Sequence, residues 1–497
     1  MPAAPAVIRS LIVALALLVP GGSAIAQSPS SRPTATPDLP PAGANESGRS
    51  ALSGTRPDIV LVLLDDLPDL DDRVFRRLPV ISRLFLDGGV RFSDFVVTFP
   101  LCCPSRASFL TGLTPLRHGV LVNDGRLFDP SVTIATELQA AGYTTLHAGK
   151  YLNLTQDLED HRPPGWTRSL ISSGGTWDYE AWLNGKPLRH GTEDEDHFTD
   201  LVTRTALDFL RRAPRDRPLF LQVTPFVPHR GENRDGIPDR YFPYPAPRHN
   251  GDPRCAGIPP WRPPSYAEAD RSDKPEVVRA EAQRWEIVWK DGFPLDRLCE
   301  SLLGVDEMIG ALEVELAAQG RTDVLYLFTS DNGMEYGAHG RFPKFLAYAA
   351  DVPFFAAWPG RLGATPRTVD ALAANIDLAP TLCDLAGCVM GPFPDRPAAD
   401  GISLLRLLAG EEAAPARLAV PLYGYALWGG FPSWSGVRTA AGFPGGRQLY
   451  VEWANGEKER YDLLRDPWLL ENDADDPWVA PLIRQLEIAH DALFMPR

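Results

Sequence analysis

The run Ile59-Val60-Leu61-Val62-Leu63-Leu64 is unbroken in its apolar character and stops abruptly at an acidic pair, Asp65-Asp66. A run of this length without polar alternation predicts a strand buried on both faces, as in a parallel sheet covered by helices. The same order of elements then recurs. Residues 131–141 predict a helix closed by Gly142, followed by a strand from Tyr143 to Ala148 that ends at Gly149-Lys150. An amphipathic helix over 198–212 precedes a strand over 218–224. Another over 296–319 precedes a β-rich run over 324–329 that ends in Ser330-Asp331-Asn332-Gly333. Such alternation predicts an α/β fold with a large, mainly parallel sheet flanked by helices, here spanning residues 57–385. After about residue 385 Pro, Gly and Trp become denser and the strands shorten, so a smaller α+β subdomain is expected over 386–497. An apolar content of 44% can build such a core and excludes whole-chain disorder. The net charge of −15 argues against nucleic acid as the main partner, while leaving room for a local basic pocket around a small anion.

The N-terminus reads as an export signal over residues 1–26. Arg9 is its only charge, Leu11 to Val19 is apolar, and Ala24-Ile25-Ala26 offers a cleavage site. That apolar stretch falls far short of the ~20 residues that span a bilayer. A secreted or periplasmic protein without stable membrane insertion is expected. Residues 27–56 carry five prolines and no aromatic residue, the composition of a disordered linker. Six cysteines in 497 residues do not make a disulfide scaffold. Cys383 with Cys388, and Cys255 with Cys299, are open to pairing in an oxidising compartment, but spacing alone fixes neither. Cys102-Cys103 lacks the spacing of zinc or thioredoxin-type sites.

In open α/β sheets ligands bind beyond the carboxyl ends of the strands. Four polar clusters fall there: Asp65-Asp66, Gly149-Lys150, Pro228-His229 and Asp331-Asn332. Any one of them is an ordinary loop or helix cap. Together, three carboxylates and an amide oxygen form an all-oxygen set suited to a hard cation, Ca²⁺ or Mg²⁺. In Leu101-Cys102-Cys103-Pro104-Ser105-Arg106, Pro104 fits the first turn of a helix running from Ser105 toward Thr114. Cys102 then sits at a helix N-terminus that attracts anions, with Arg106 one turn in. A buried Cys pair capping the helix and a low-pKa reactive thiol are the other readings.

Cys102-x-Pro104-Ser105-Arg106 followed by Thr111-Gly112 resembles the signature of type I sulfatases, the formylglycine-dependent branch of the alkaline phosphatase superfamily. The resemblance covers most of residues 57–475. Pro57 through Asp66 looks like the family's opening strand and metal ligands, and Phe328 through Gly333 like its second metal segment. His339-Gly340-Arg341-Phe342-Pro343-Lys344 with Tyr348 matches its downstream lysine segment. Ile376 through Thr381, and Tyr461 through Asn472, resemble later landmarks.

The resemblance implies that a maturation enzyme oxidises Cys102 to formylglycine. The aldehyde hydrates to a geminal diol. One hydroxyl attacks sulfur, and the second, once deprotonated, expels sulfate, a release step that serine lacks. It further implies a cation held by Asp65, Asp66, Asp331, Asn332 and the residue derived from Cys102. Arg106, Lys150, His229 and Lys344 would surround the anion, with His229 or Lys344 as proton donor.

Many family members carry a histidine two positions after the lysine corresponding to Lys150, where this chain has Leu152. Gly149-Lys150-Tyr151-Leu152-Asn153, Pro163-Pro164-Gly165-Trp166 and the Cys102-Cys103 pair instead resemble the glucosamine-6-sulfatase and extracellular sulfatase branch. That branch implies a sulfated carbohydrate substrate. The base for the second hydroxyl is left among His118, His147 and Asn153, and His339 reads as either a supporting or a substrate-facing group. Trp166, Trp177 and Trp182 suit either a sugar platform or core packing. Two other functions fit the same residues: a phosphodiester or phosphonate monoester hydrolase of the superfamily, and a binding protein that has lost its chemistry.

Overall fold

The computed structural model describes residues 50–239, 241–284, 289–363, 365–393, 398–411, 417–425 and 432–494. The expected export signal and residues 27–49 of the expected linker lie outside them. Ten strands form the main sheet: β1 (Asp58–Leu64), β2 (Val90–Val96), β3 (Thr144–Lys150), β4 (Arg168–Ser172), β5 (Glu180–Leu183), β6 (Lys186–Arg189), β7 (Leu219–Thr224), β8 (Val324–Ser330), β9 (Phe354–Ala357) and β10 (Arg367–Ala374). Their order is β10-β2-β9-β8-β1-β7-β3-β4-β5-β6. The central five, β8-β1-β7-β3-β4, are mutually parallel. β9 runs antiparallel between β2 and β8, and the β4-β5-β6 edge is also antiparallel.

Every residue of β1 is buried, and its side chains divide by the two-residue period of a strand. Val60, Val62 and Leu64 join the helices Phe198–Arg212 and Asp296–Ala318 in one apolar layer. Ile59, Leu61 and Leu63 join the helices Ile134–Ala140 and Leu378–Ala386 in the other. With each face capped by helices, β1 stays apolar from Ile59 until it leaves the sheet at Asp65, and its first residue, the buried Asp58, is paired with Arg321 at 2.7 Å. Cys255 and Cys299 are joined in a disulfide that ties a loop to the Asp296–Ala318 helix.

Three expectations shift in detail. The helix expected from Ser105 runs Cys102–Thr111, so Cys102 is its first residue; it closes at Gly112, whose φ of +69° is left-handed. Gly149-Lys150 belongs to β3 itself, because Gly149 pairs with Thr224 and Lys150 with Ser172. A Cβ on Gly149 would lie 2.2 Å from the Thr224 carbonyl oxygen, so only glycine permits that approach. Within the expected linker, residues 50–56 are packed: Gly54 and Arg56 donate backbone hydrogen bonds to the Asp384 and Leu385 carbonyls, and Leu52 joins the second apolar layer.

Leu404, Leu405 and Leu408 also pack in that layer, beyond the boundary expected at 385/386. The C-terminal sheet begins at β11 (Ala419–Gly424) and continues through β12 (Trp434–Thr439), β13 (Gln448–Trp453) and β14 (Lys458–Asp462), an antiparallel meander. The helix Ala480–Phe494 packs on it through Ile483, Leu486 and Ala489. Among the described residues, no helix is long and apolar enough to cross a membrane.

Candidate active site

The four neighbouring strands β8-β1-β7-β3 bring their carboxyl ends together. β8 delivers Asp331 and Asn332, β1 delivers Asp65 and Asp66, β3 ends in Lys150, and β7 continues to His229. Cys102 enters this group from the first turn of its helix. Its Sγ lies 3.7 Å from Asp65 Oδ1 and accepts from Lys344 Nζ at 3.0 Å. The helix has no side-chain cap at Leu101; the Cys103 N–H instead donates to Asn123 Oδ1.

Three buried carboxylates meet three buried cations. Lys150 Nζ donates to Asp65 Oδ2 at 2.5 Å. Arg106 Nε donates to Asp331 Oδ2 at 2.8 Å, a second guanidinium nitrogen donates to the Lys150 carbonyl, and the third lies 3.5 Å from Asp65. Lys344 Nζ donates to Asp66 Oδ1 and lies 3.3 Å from Asn332 Oδ1. The Asn332 side-chain amide donates to Asp66 at 2.6 Å.

Burial by itself would raise the carboxyl groups of both Asp65 and Asp66, just beyond β1. Lys150 and Arg106 overcome it at Asp65, and Lys344 at Asp66, so both are held below the usual carboxylate range. Burial pushes the Cys102 thiol up to about 11 despite the lysines beside it, which disfavours the low-pKa thiol reading. Burial likewise lowers His229 against the pull of Asp66 and Asp65. Its Nδ1 lies 2.6 Å from the Arg230 carbonyl, which fixes the proton there, and leaves Nε2 facing Asp66 at 3.5 Å.

Ligand atoms of Asp65, Cys102 and Asp331, and separately of Asp65, Asp66 and His229, lie within 4.8 Å of one another, close enough to hold one metal ion. Lys344 places an ammonium group among Asp66, Asn332 and Cys102, so a positive charge is already accommodated between the expected ligands.

All the residues expected from the sequence to hold the cation and anion thus converge. The candidates for the base do not reach Cys102 through any hydrogen bond described. His118 lies 3.1 Å from Ser108 Oγ and accepts from the Val120 N–H. Asn153 contacts Cys103: its N–H donates to the Cys103 sulfur at 3.1 Å, and its Oδ1 accepts from that thiol. Cys103 is therefore a buried packing residue bound to the loop after β3. His147 is buried against Tyr151 and Trp166. His339 is buried, with Nδ1 2.7 Å from Glu268 Oε2 and its ring on Tyr348, so it faces protein rather than a substrate. Trp166, Trp177 and Trp182 are buried as well, which favours core packing.

Sequence reasoning missed Asn123, Ser330 and Asn375. Ser330 accepts from the Leu67 N–H and donates to the Asn332 carbonyl, fixing the loops after β1 and β8 against each other. Asn375 donates to Ser105 and accepts from the Thr98 N–H, bracing the Cys102 helix. Apart from the Asn332 carbonyl, their partners lie 20 or more residues away along the chain, so no local pattern marks them.

Burial, helped by the Arg106 charge, lowers His147 to about 3. The neutral form is favoured in the folded state, so the stabilisation is complete above the unfolded value near 6.5. It is lost as pH falls through that value toward about 3. A shift of this size corresponds to something on the order of 5 kcal/mol. His147→Phe is expected to flatten the dependence of Tm on pH between 6.5 and 4, measured by thermal melts. An unchanged slope would refute the assignment.

Comparison with known proteins gives two family matches. The Sulfatase family model matches residues 57–388, and that of N-sulphoglucosamine sulphohydrolase, C-terminal, matches residues 337–493. An extracellular sulfatase SULF-1 homolog of Drosophila melanogaster is 30% identical over 378 residues, covering 72% of this chain and 32% of the relative. The N-acetylglucosamine-6-sulfatase of Homo sapiens is 30% identical over 386 residues, covering 72% of this chain and 66% of the relative. The chain thus spans between about a third and two thirds of the length of these curated relatives. A solved structure described as a complex with its substrate D-glucosamine-2-N,6-O-disulfate superposes with a TM-score of 0.69 at 23% identity, covering 88% of this chain and 97% of that one. At that identity the likeness concerns the fold.

Proposed function

The chain belongs to the sulfatase family, and from that premise we propose that it hydrolyses the sulfate ester of a carbohydrate, with Cys102 converted to formylglycine by a maturation enzyme. The observation that carries the reading is the convergence of Asp65, Asp66, Asp331, Asn332, Arg106, Lys150 and Lys344 around Cys102 at the carboxyl ends of parallel strands. Asp65, Asp66, Asp331, Asn332 and the oxygen derived from Cys102 would hold Ca²⁺, or Mg²⁺ in its place. A bound divalent cation neutralises sulfate oxygens and lowers the pKa of the attacking hydroxyl.

The chain's own groups do the rest. Arg106, Lys150 and Lys344 bind the anion and offset the charge that develops on it. One such contact is worth about 3–4 kcal/mol, whereas enzymes lower barriers by about 8–23 kcal/mol, so several must act together. Lys344 or His229 would donate the proton to the leaving oxygen. Burial would lower Lys344, but Asp66 and its neighbours raise it above the ordinary lysine value, whereas burial lowers His229, whose Nδ1 faces the Arg230 carbonyl.

The likeness to N-acetylglucosamine-6-sulfatase supports a 6-O-sulfated glucosamine as substrate, and the likeness to extracellular sulfatases supports a secreted location. Sulfate and phosphate are alike in size, and a phosphodiester or phosphonate monoester hydrolase uses the same fold. Side-by-side assay of N-acetylglucosamine-6-sulfate, aryl sulfates and bis-aryl phosphodiesters is expected to show the fastest turnover on the sugar sulfate. Faster phosphodiester cleavage than cleavage of every sulfate ester would overturn the reaction class. Turnover of aryl sulfates alone would keep the class and remove the sugar.

A further inference from the structure

The helix Leu378–Ala386 ends in a turn whose geometry brings two cysteines together. Gly387 follows in the left-handed conformation, φ +78°, which few residues other than glycine adopt without strain. The Gly387 N–H donates to the Asp384 carbonyl at 3.1 Å, and the Cys388 N–H to the Cys383 carbonyl at 2.8 Å. These paired bonds define a Schellman motif, in which the side chains at the first and last of the six positions meet. An apolar pair usually fills that contact. Here both positions are cysteine, and the sulfurs lie 2.6 Å apart as separate thiols. Non-bonded heavy atoms normally stand about 3.5–4.0 Å apart, whereas a disulfide bond is about 2.0 Å long. The closed turn therefore holds the sulfurs nearer to bonding than to contact distance.

The same helix end is where the chain enters the sheet. Gly54 and Arg56 donate to the Asp384 and Leu385 carbonyls, and β1 begins two residues later, with the expected metal ligands Asp65 and Asp66 at its far end. Cys383 is buried and Cys388 half-buried, so an oxidant can reach the pair through Cys388.

We propose that Cys383 and Cys388 form a second disulfide that locks this helix end and the 50–56 segment docked on it. A protein or small-molecule disulfide is the oxidant. The Cys388 thiolate attacks one of its sulfurs, giving a mixed disulfide and releasing one thiol. The Cys383 thiolate then displaces the second thiol. The two cysteines give up two protons and two electrons, and the oxidant is reduced to two thiols.

The test uses the full chain equilibrated with oxidised and reduced glutathione, acid-quenched, and alkylated in denaturant with one reagent before reduction and a second after it. Peptide mass spectrometry is expected to find Cys383 and Cys388 carrying only the second reagent, like Cys255 and Cys299, with a non-reduced peptide two hydrogens lighter than the dithiol. In Cys388→Ser, Cys383 should take the first reagent. The bridged form should also show slower hydrogen exchange at the Gly54, Arg56 and Cys388 amides than Cys388→Ser. Uptake of the first reagent by both cysteines of the unsubstituted chain, or linkage of either to another cysteine, would overturn the proposal. The labelling does not depend on sulfatase turnover, so it succeeds or fails independently of the proposed activity.

Discussion

Cys102→Ala is expected to fold normally and to lose ester hydrolysis by at least about a thousandfold, the scale on which removal of a nucleophile acts. The side chain is small and buried at the first turn of its helix, and Cys103, Asn123 and Asn375 still anchor that turn. Truncation therefore leaves the sheet ends in place and removes the reacting atom. Cys102→Ser makes the sharper statement. Its single hydroxyl can attack sulfur but has no second hydroxyl with which to expel sulfate, so one equivalent of substrate should be cleaved, the alcohol released, and the chain left as a serine sulfate ester heavier by one SO3. Intact-mass spectrometry after incubation with substrate reads this directly. The active unsubstituted chain should show the Cys102 peptide with sulfur exchanged for oxygen and two hydrogens fewer, and Cys103 unchanged. Full activity with an intact Cys102 thiol, or retained turnover in Cys102→Ala, would exclude formylglycine chemistry at this position.

Asp331→Ala should lose metal and activity together. Asp331 accepts from Arg106 Nε at 2.8 Å and from the Asp66 N–H at 3.1 Å, so it ties the anion-binding guanidinium to the loop after β1. Removing one partner of a buried ion pair leaves Arg106 short of compensation, which costs about 3–5 kcal/mol. The fall in Tm by itself is therefore uninformative. Asp331→Asn keeps the shape and should fold better while still losing the cation. Metal content by plasma mass spectrometry, and the rise in Tm on adding Ca²⁺, should both vanish in the two variants. Chelation of the unsubstituted chain should abolish turnover, and Ca²⁺ or Mg²⁺ should restore it. A metal-free sample that hydrolyses substrate at the full rate would refute the ligand assignment.

Much of this site is legible in one dimension because strand ends are. An apolar run such as Ile59–Leu64 must stop where the chain leaves the core, and the polar residues that follow are then forced to the rim of the sheet. Asp65, Asp66, Lys150, Asp331 and Asn332 were identifiable for that reason, and Cys102, Arg106 and Lys344 from family-like segments. The C-terminal subdomain announced itself less clearly. The shift in composition near residue 385 precedes the antiparallel sheet by some thirty residues, because 404–408 still belong to the main core.

What the sequence by itself determined was the class of fold and the inventory of reactive groups, since both follow from local periodicity and from residues that few other roles require. What only the tertiary structure decided was how those groups are paired. Lys150 is bound to Asp65, Lys344 to Asp66 and Arg106 to Asp331, each across a sequence separation of 85, 278 and 225 residues respectively. Strand order sets those separations, and strand order depends on which helices cover which face. The same cause explains why Asn123 and Asn375 were invisible and why His147, Trp166 and His339 turned out to be buried packing residues. A side chain's chemistry is written at its own position, but its burial and its partner belong to whatever the rest of the chain folds against it.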